Sequence, residues 1–167
     1  RETPRNLYRK FRETMARFND DWFCVGAVKL YIDGVQETGT AALLEPYTNN
    51  PDSRGDTVHS VLEFRGIVSE LDQLGFQICV HACGDRGVRI ALDAYEAAAK
   101  ENGTAGRRHR IERCENLAPE DIPRFARLGV IPCMMPRHSA SELTGRWREA
   151  VGPSRTRIAF PWRGLLD

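Results

Sequence analysis

The chain has 167 residues and a mass of 18.9 kDa, which is long enough for one domain with a hydrophobic core and too short for two large ones. Hydrophobic residues make up 41% and charged residues 28%, a composition that excludes wholesale disorder. Lysine and arginine total 24 against 23 acidic residues, and this net charge of +1 gives no field that would attract nucleic acid or an anionic membrane. We therefore expect neither partner.

Cellular location and redox state are predicted from two further features. No apolar run approaches the roughly 20 residues that a bilayer span needs, and residues 1–12 lack the apolar centre of a signal peptide. The five cysteines are scattered and odd in number, unlike the disulfide framework of a secreted domain. We expect a cytoplasmic protein whose thiols are reduced.

Helical and strand patterns alternate along the chain. Apolar residues at helical spacing predict helices over 4–19, 62–74, 88–102 and 119–128, and a further helix is possible around Trp147. Alternating residues predict strands over 25–32, 76–83, 109–114 and 130–135. Residues 34–58 are too rich in glycine, proline and asparagine for regular structure, so they form a long loop that we expect to be functional.

This alternation predicts an α/β fold with a parallel sheet. The first two strands each have one apolar face and one polar face, as in a (β/α)8 TIM barrel, where one face lines the interior. A Rossmann-like sheet is the competing fold, and it is disfavoured because no G-x-G-x-x-G motif follows a strand. Only about four βα units are present where a barrel needs eight. Residues 1–167 are thus expected to be part of one barrel domain, with open sheet edges that favour self-association.

Candidate functional residues lie where parallel strands end, because α/β folds build their sites at the carboxyl edge of the sheet. A lysine on the interior face of an apolar strand is costly unless it pairs, reaches the strand end or binds a metal, and a histidine at a strand end suits Zn²⁺. The candidates are Lys29 with Asp33, His81 with Asp85, His109 or Arg113, and His138.

A zinc knuckle formed by Cys79, His81 and Cys83 is a further possibility that the spacing argues against. Alternate residues of an extended strand lie about 6.6 Å apart, too far to converge on one tetrahedral ion. The chain also lacks the G-x-S-x-G, P-loop and H-E-x-x-H motifs, which disfavours serine hydrolases, nucleoside triphosphatases and zincins.

Four motifs in a fixed order resemble those of a known enzyme family. They are VKLYIDG at 28–34, TAALLEPY at 40–47, VHACGD at 80–85 and RHRIE at 108–112. Together they resemble the YtcJ-like amidohydrolases (amidohydrolase family 3), metal-dependent hydrolases that include N-substituted formamide deformylase and proteins labelled exoenzyme regulatory protein. The likeness extends over nearly the whole chain. It implies that this chain corresponds to about strands four to seven of a larger barrel.

The resemblance assigns roles to particular residues. Lys29 corresponds to the bridging lysine and His81 to the fifth-strand ligand of a divalent metal, Zn²⁺ first, with Fe or Mn as alternatives. The family usually reads R-H-R-I-E-H, whereas Arg113 stands here in place of the final histidine. Since a guanidinium cannot act as a neutral imidazole ligand, at most one ion is expected, and Arg113 is free to hold an anionic substrate or to neutralise Asp85.

The implied function is metal-dependent hydrolysis of carbon–nitrogen bonds in small non-peptide amides or formamides. Lys29, His81 and Asp85 are the expected catalytic residues, and Arg113 and His138 are expected to contact substrate. This chain alone is expected to be inactive, because half of the family's metal ligands lie outside it. The alternative, suggested by Arg113, is a family member that has lost catalysis and acts as a binding or regulatory protein.

Overall fold

The computed structural model describes residues 4–103, 106–140 and 144–166. All four predicted strands and the four main predicted helices are confirmed, with ends that differ by a few residues. The elements are α1 (Pro4–Arg17), β1 (Ala27–Tyr31), α2 (Val61–Gln73), β2 (Gln77–Ala82), α3 (Asp85–Asn102), β3 (Arg110–Arg113), α4 (Ile122–Leu128), β4 (Ile131–Met134), α5 (Gly145–Ile158) and α6 (Trp162–Leu166).

The four strands form one parallel sheet in the order β1-β2-β3-β4. Along one register row, Tyr31 lies beside His81, His81 beside Glu112, and Glu112 beside Cys133. The α/β fold with a parallel sheet is therefore confirmed. Strands β1 and β4 are its edges, and self-association through them stays a prediction.

The two faces of the sheet differ in chemistry. One face packs against the helices, and its core includes Ile78, Val80, Ile111, Phe64 and Val68. The other face carries Lys29, Tyr31, Cys79, His81, Arg110 and Glu112, which share register rows across the strands. In-register neighbours of a parallel sheet point the same way, so this polar set forms a single surface.

The loop at 34–58 packs over the carboxyl end of β2. Apart from a short 3₁₀ turn at Gln36–Thr38 it is irregular, yet Ala41, Ala42 and Leu43 are fully buried. A Cβ atom on Gly84 would lie 2.0 Å from the Ala42 carbonyl oxygen, so only glycine permits this approach. The loop is thereby fixed beside the ends of β1 and β2.

The last third of the chain departs most from the sequence prediction. The helix expected near Trp147 is present as α5, which bends at Gly152 (φ 76°) immediately before Pro153. The short helix α6 was not predicted. Trp147 is almost completely buried. Within the part of the chain that the structure describes, no helix combines the length and apolarity needed to cross a bilayer.

Candidate metal centre

His81 lies at the carboxyl end of β2 on the polar face of the sheet, and only 7% of it is exposed. Its Nε2 atom is 2.9 Å from the Gly34 carbonyl oxygen and 3.4 Å from Cys83 Sγ. Burial lowers the pKa of His81, and the charges of Arg113 and Lys29 act in the same direction. The imidazole is therefore neutral at physiological pH, which is the form that binds metals.

Asp33 follows β1 and is buried beside this imidazole. Its Oδ1 accepts a hydrogen bond from the Cys83 N–H at 3.0 Å, and its Oδ2 accepts from the N–H groups of Ala42 and Gly84, both at 2.9 Å. Burial raises the pKa of Asp33 to about 6, although these three hydrogen bonds act to lower it. Asp33 thus joins the end of β1 to the end of β2 and to the overlying loop.

Asp33, His81 and Cys83 form a cluster of possible metal ligands. One donor atom from each lies within 4.8 Å of the other two, and all three residues are buried. The spacing argument against a knuckle of Cys79, His81 and Cys83 does not extend to the last two residues, because His81 Nε2 and Cys83 Sγ are 3.4 Å apart. Cys79 stays outside this cluster and interacts with the side chain of Arg110.

Lys29 lies on the same polar face, on the strand next to His81. Its register neighbour is Cys79, two residues before His81, and its side chain is exposed. The Nζ atom is 5.0 Å from the centre of the Tyr31 ring, and that ring also packs against His81 with a centroid distance of 5.1 Å. Asp33 bonds to backbone N–H groups, and the described ion pairs do not include one with Lys29.

Arg113 and His138 come together beyond the ends of β3 and β4. Arg113 Nη1 contacts both ring nitrogens of His138, and His138 Nδ1 is 2.8 Å from Glu115 Oε1. Glu115 is 3% exposed and also accepts a hydrogen bond from Trp147 Nε1 at 3.2 Å. Sequence reasoning missed Glu115, because a single carboxylate after a short strand gives no periodic signal.

Asp85 opens α3 and contacts backbone rather than the ligand cluster. Its Oδ1 accepts hydrogen bonds from the N–H groups of Leu44 (2.8 Å) and Arg86 (2.9 Å), and burial raises its pKa. The suggested neutralisation of Asp85 by Arg113 is not what the structure has, since Arg113 contacts His138 and Glu115. Asp85 is placed to hold the 34–58 loop over the sheet.

His109 is the one candidate that lies at the wrong end of the sheet. It precedes β3, which begins at Arg110, so it belongs to the amino edge. Its Nδ1 accepts a hydrogen bond from the Ile78 N–H at 3.1 Å, and its Nε2 lies 3.1 Å from Asp72 Oδ1. A site at the carboxyl edge therefore excludes His109.

Comparison with known proteins identifies the family. Residues 3–167 match the model of the Amidohydrolase family. The chain belongs to this family. It is 34% identical over 147 residues to the protein LONG AFTER FAR-RED 3 of Arabidopsis thaliana, covering 88% of this chain and 25% of that protein. It is 29% identical over 156 residues to the putative amidohydrolase YtcJ of Bacillus subtilis (strain 168), covering 93% and 28% of the two chains.

A solved structure has the same fold over nearly the whole of this chain. An uncharacterized metal-dependent hydrolase from Pyrococcus furiosus superposes on 97% of this chain with a TM-score of 0.81 and 30% identity, while the chain covers 33% of that protein. The four βα units are thus a portion of a TIM barrel. The chain spans about a quarter of the length of these two relatives, from Arabidopsis thaliana and Bacillus subtilis.

The side chains at the carboxyl edge fit a divalent ion. A neutral imidazole, a thiol and a carboxylate are all established ligand types for Zn²⁺, and here their donor atoms already cluster. Lys29, the expected bridging ligand, is not a member of this cluster, although it is exposed on the same face of the sheet.

Proposed function

We propose that the protein to which this chain belongs is a divalent-metal-dependent hydrolase that cleaves carbon–nitrogen bonds in small non-peptide amides or formamides. The observation that carries this proposal is the buried His81 imidazole at the carboxyl edge of a parallel sheet, on the same face as Lys29, in an amidohydrolase family member. Residues 1–167 would be one portion of its barrel domain.

Lys29 and His81 would hold the ion, with Zn²⁺ the first candidate and Fe or Mn the alternatives. Such an ion lowers the pKa of a bound water toward about 7 and polarises the scissile carbonyl. His81 offers an imidazole that burial keeps neutral. Lys29 lies on the neighbouring strand with an exposed ammonium, which leaves it accessible for the carboxylation that the family resemblance implies.

Arg113 and His138 would contact the substrate. The Glu115 carboxylate at Nδ1 and the Arg113 guanidinium beside the ring hold the His138 imidazole in place. The remaining guanidinium N–H groups suit a carboxylate or another anionic group of the substrate. Asp85 would contribute by fixing the loop at Leu44, which makes it a positioning residue.

Arg113 also favours a second candidate function. It occupies the strand end where the family resemblance implies a histidine ligand, and a guanidinium does not bind a metal ion at neutral pH. A family member without catalysis, which binds a small molecule or regulates a partner, would tolerate this change.

Metal analysis and turnover by the full-length protein separate the two functions. Stoichiometric metal with hydrolysis of formamides or amides, both lost in His81→Ala and retained in the control His59→Ala, supports the hydrolase. A folded protein without metal or turnover supports the binding protein. The isolated 167-residue chain is expected to show no turnover, because it lacks the ligands that other strands of the barrel supply.

A further inference from the structure

We propose that the Cys83 thiolate is a direct ligand of the ion that His81 binds, and that it takes the place of the imidazole that Arg113 replaces. The inference rests on the proposed function, since it concerns the ion of that same site. It changes the expected donor set from oxygen and nitrogen alone to one that contains sulfur.

The distance between the two donor atoms is that of a pair sharing one ion. Zinc binds a histidine nitrogen at about 2.0–2.1 Å and a cysteine sulfur at about 2.3 Å, so tetrahedral angles place the two donors about 3.6 Å apart. Cys83 Sγ lies 3.4 Å from His81 Nε2. The two donor atoms are therefore already at the separation of a pair that shares one ion.

The backbone of Cys83 is fixed from both sides. Its N–H donates to Asp33 Oδ1 at 3.0 Å, and its carbonyl oxygen accepts from Gln36 Nε2 at 2.7 Å. Both partners are almost completely buried. These bonds hold the residue after the last residue of β2 in the position that turns its thiol toward the imidazole, so the pair is preorganised.

Two further oxygen atoms belong to the surroundings of this pair. Asp33 Oδ1 is 4.0 Å from His81 Nε2 and keeps a lone pair beyond its bond to the Cys83 N–H. Gln36 Oε1 is buried and has no hydrogen-bond partner among the described residues, although the amide nitrogen of the same side chain bonds to Cys83. An unpaired buried acceptor is costly, so this oxygen is left available to a water or another bound group.

Charge near the thiol also bears on the substitution of Arg113 for histidine. Burial raises the pKa of the Cys83 thiol, as do Glu115 and Asp33, whereas the Arg113 guanidinium acts in the opposite direction. A guanidinium at position 113 cannot bind a metal ion, so the Cys83 sulfur would restore the number of donor atoms that a histidine there would complete.

Binding would move two protons and would involve no redox change. The thiol releases its proton to solvent, and the ring proton of His81 shifts from Nε2 to Nδ1 so that Nε2 can donate its lone pair. The hydrogen bond from Nε2 to the Gly34 carbonyl is given up. Sulfur ligation favours Zn²⁺ over Mn²⁺ or Mg²⁺, which makes zinc the expected ion.

Cobalt(II) tests the ligand directly, because a cobalt–thiolate bond gives an intense near-ultraviolet charge-transfer band that oxygen and nitrogen ligands do not. The apo form of the full-length protein is titrated with Co²⁺. The band is expected in the wild type and in Cys114→Ser, and it is expected to be lost in Cys83→Ser together with at least about a 100-fold loss of affinity. Cys114 is an equally buried control whose thiol donates to the Ile111 carbonyl.

The outcomes distinguish this inference from the proposed function. Binding of Co²⁺ that depends on His81 but shows no thiolate band overturns the Cys83 assignment and leaves the hydrolase proposal intact. Failure of the folded wild type to bind Co²⁺ overturns both. Should Cys83→Ser not fold, Cys83→Ala repeats the test without adding a polar group to a buried position, and persistence of the band in that variant overturns the assignment.

Discussion

Two histidine–aspartate neighbours lie at opposite ends of the same sheet, His109 with Asp72 at the amino edge and His81 with Asp33 at the carboxyl edge. All four residues are buried, and both histidines have a pKa that burial lowers. They differ in what the carboxylate bonds to. That difference separates a structural histidine from one that is available to a ligand.

At the amino edge the polar atoms are satisfied by one another. Asp72 lies 3.1 Å from Nε2 of His109, accepts from Asn102 Nδ2 at 2.9 Å, and pairs with Arg107 at 3.2 Å. The other ring nitrogen of His109 accepts the Ile78 N–H. This closed network joins α2, α3 and the start of β3.

At the carboxyl edge the carboxylate is used by the backbone instead. Asp33 accepts three N–H groups, and its nearest oxygen is 4.0 Å from Nε2 of His81, beyond hydrogen-bond distance. His81 shares Nε2 between the Gly34 carbonyl and the Cys83 thiol. Weaker partners hold this imidazole, so a metal ion can displace them.

The largest expected effect on stability comes from Asp72→Ala. It leaves His109, Arg107 and Asn102 without their shared acceptor in a buried site, and we expect the free energy of unfolding to fall by about 3 kcal/mol. Urea unfolding of the full-length protein measures this loss. Asp52→Ala, at an exposed loop position, is the control, with a change below about 0.5 kcal/mol. Loss of bound metal in Asp72→Ala would contradict a purely structural role for the amino-edge network.

His81→Asn should lower stability only slightly but abolish metal binding, the reverse of what we expect for Asp72→Ala. The substitution removes the weak contacts of the imidazole, so we expect the free energy of unfolding to fall by only about 1–2 kcal/mol, while bound metal is lost. Metal content measured beside urea unfolding gives both quantities. His109→Asn is the matched control, since it keeps an acceptor for the Ile78 N–H and should retain the metal. Equal metal contents in His81→Asn and His109→Asn would contradict the assignment of His81 as the metal-binding histidine.

Trp147→Phe tests Glu115, another buried carboxylate, which pairs with His138 at the carboxyl edge. The change removes one donor to Glu115 but leaves the bond to His138, and we expect a loss of about 1 kcal/mol in unfolding free energy with unchanged metal content. Isothermal metal titration and urea unfolding are the measurements. A change in metal affinity would show that this pair acts on the ion as well.

The pH dependence of stability gives the finest test. Burial lowers the pKa of His109 below its ordinary 6.5, so the unfolded chain takes up a proton at a higher pH than the folded protein does. The contribution of His109 is therefore full above pH 6.5 and is lost as the pH falls through the lowered pKa. The pKa of Asp33, raised from 3.8 to about 6, acts oppositely: its contribution is lost as the pH rises between those values.

These two effects are separated by subtraction. The difference in unfolding free energy between wild type and His109→Asn should shrink as the pH is lowered below 6.5, because only the wild type carries the His109 term. A difference that stays constant from pH 7 to pH 5 would contradict neutral burial of His109. The Asp33 effect is common to both proteins and cancels.

The sequence by itself determined the order of strands and helices and the two-faced character of β1 and β2. These features follow from local periodicity: apolar residues repeat every second position in a half-buried strand and at helical spacing in a helix. The alternating pattern at 76–83 likewise predicted that the His81 imidazole lies near the end of a strand. The strand prediction at 109–114 was accurate to one residue at each end, and the predicted start of that strand already places His109 at the amino edge.

Only the tertiary structure decided which side chains meet. Cys83 Sγ lies 3.4 Å from His81 Nε2 because the two side chains converge at the strand end, so a rule based on backbone spacing fails there. Glu115 meets His138 and Trp147 from distant parts of the chain, and Asp33 bonds to backbone rather than to the neighbouring histidine. Local patterns carry no information about such contacts, because their geometry depends on where strands end and on how a loop packs over them.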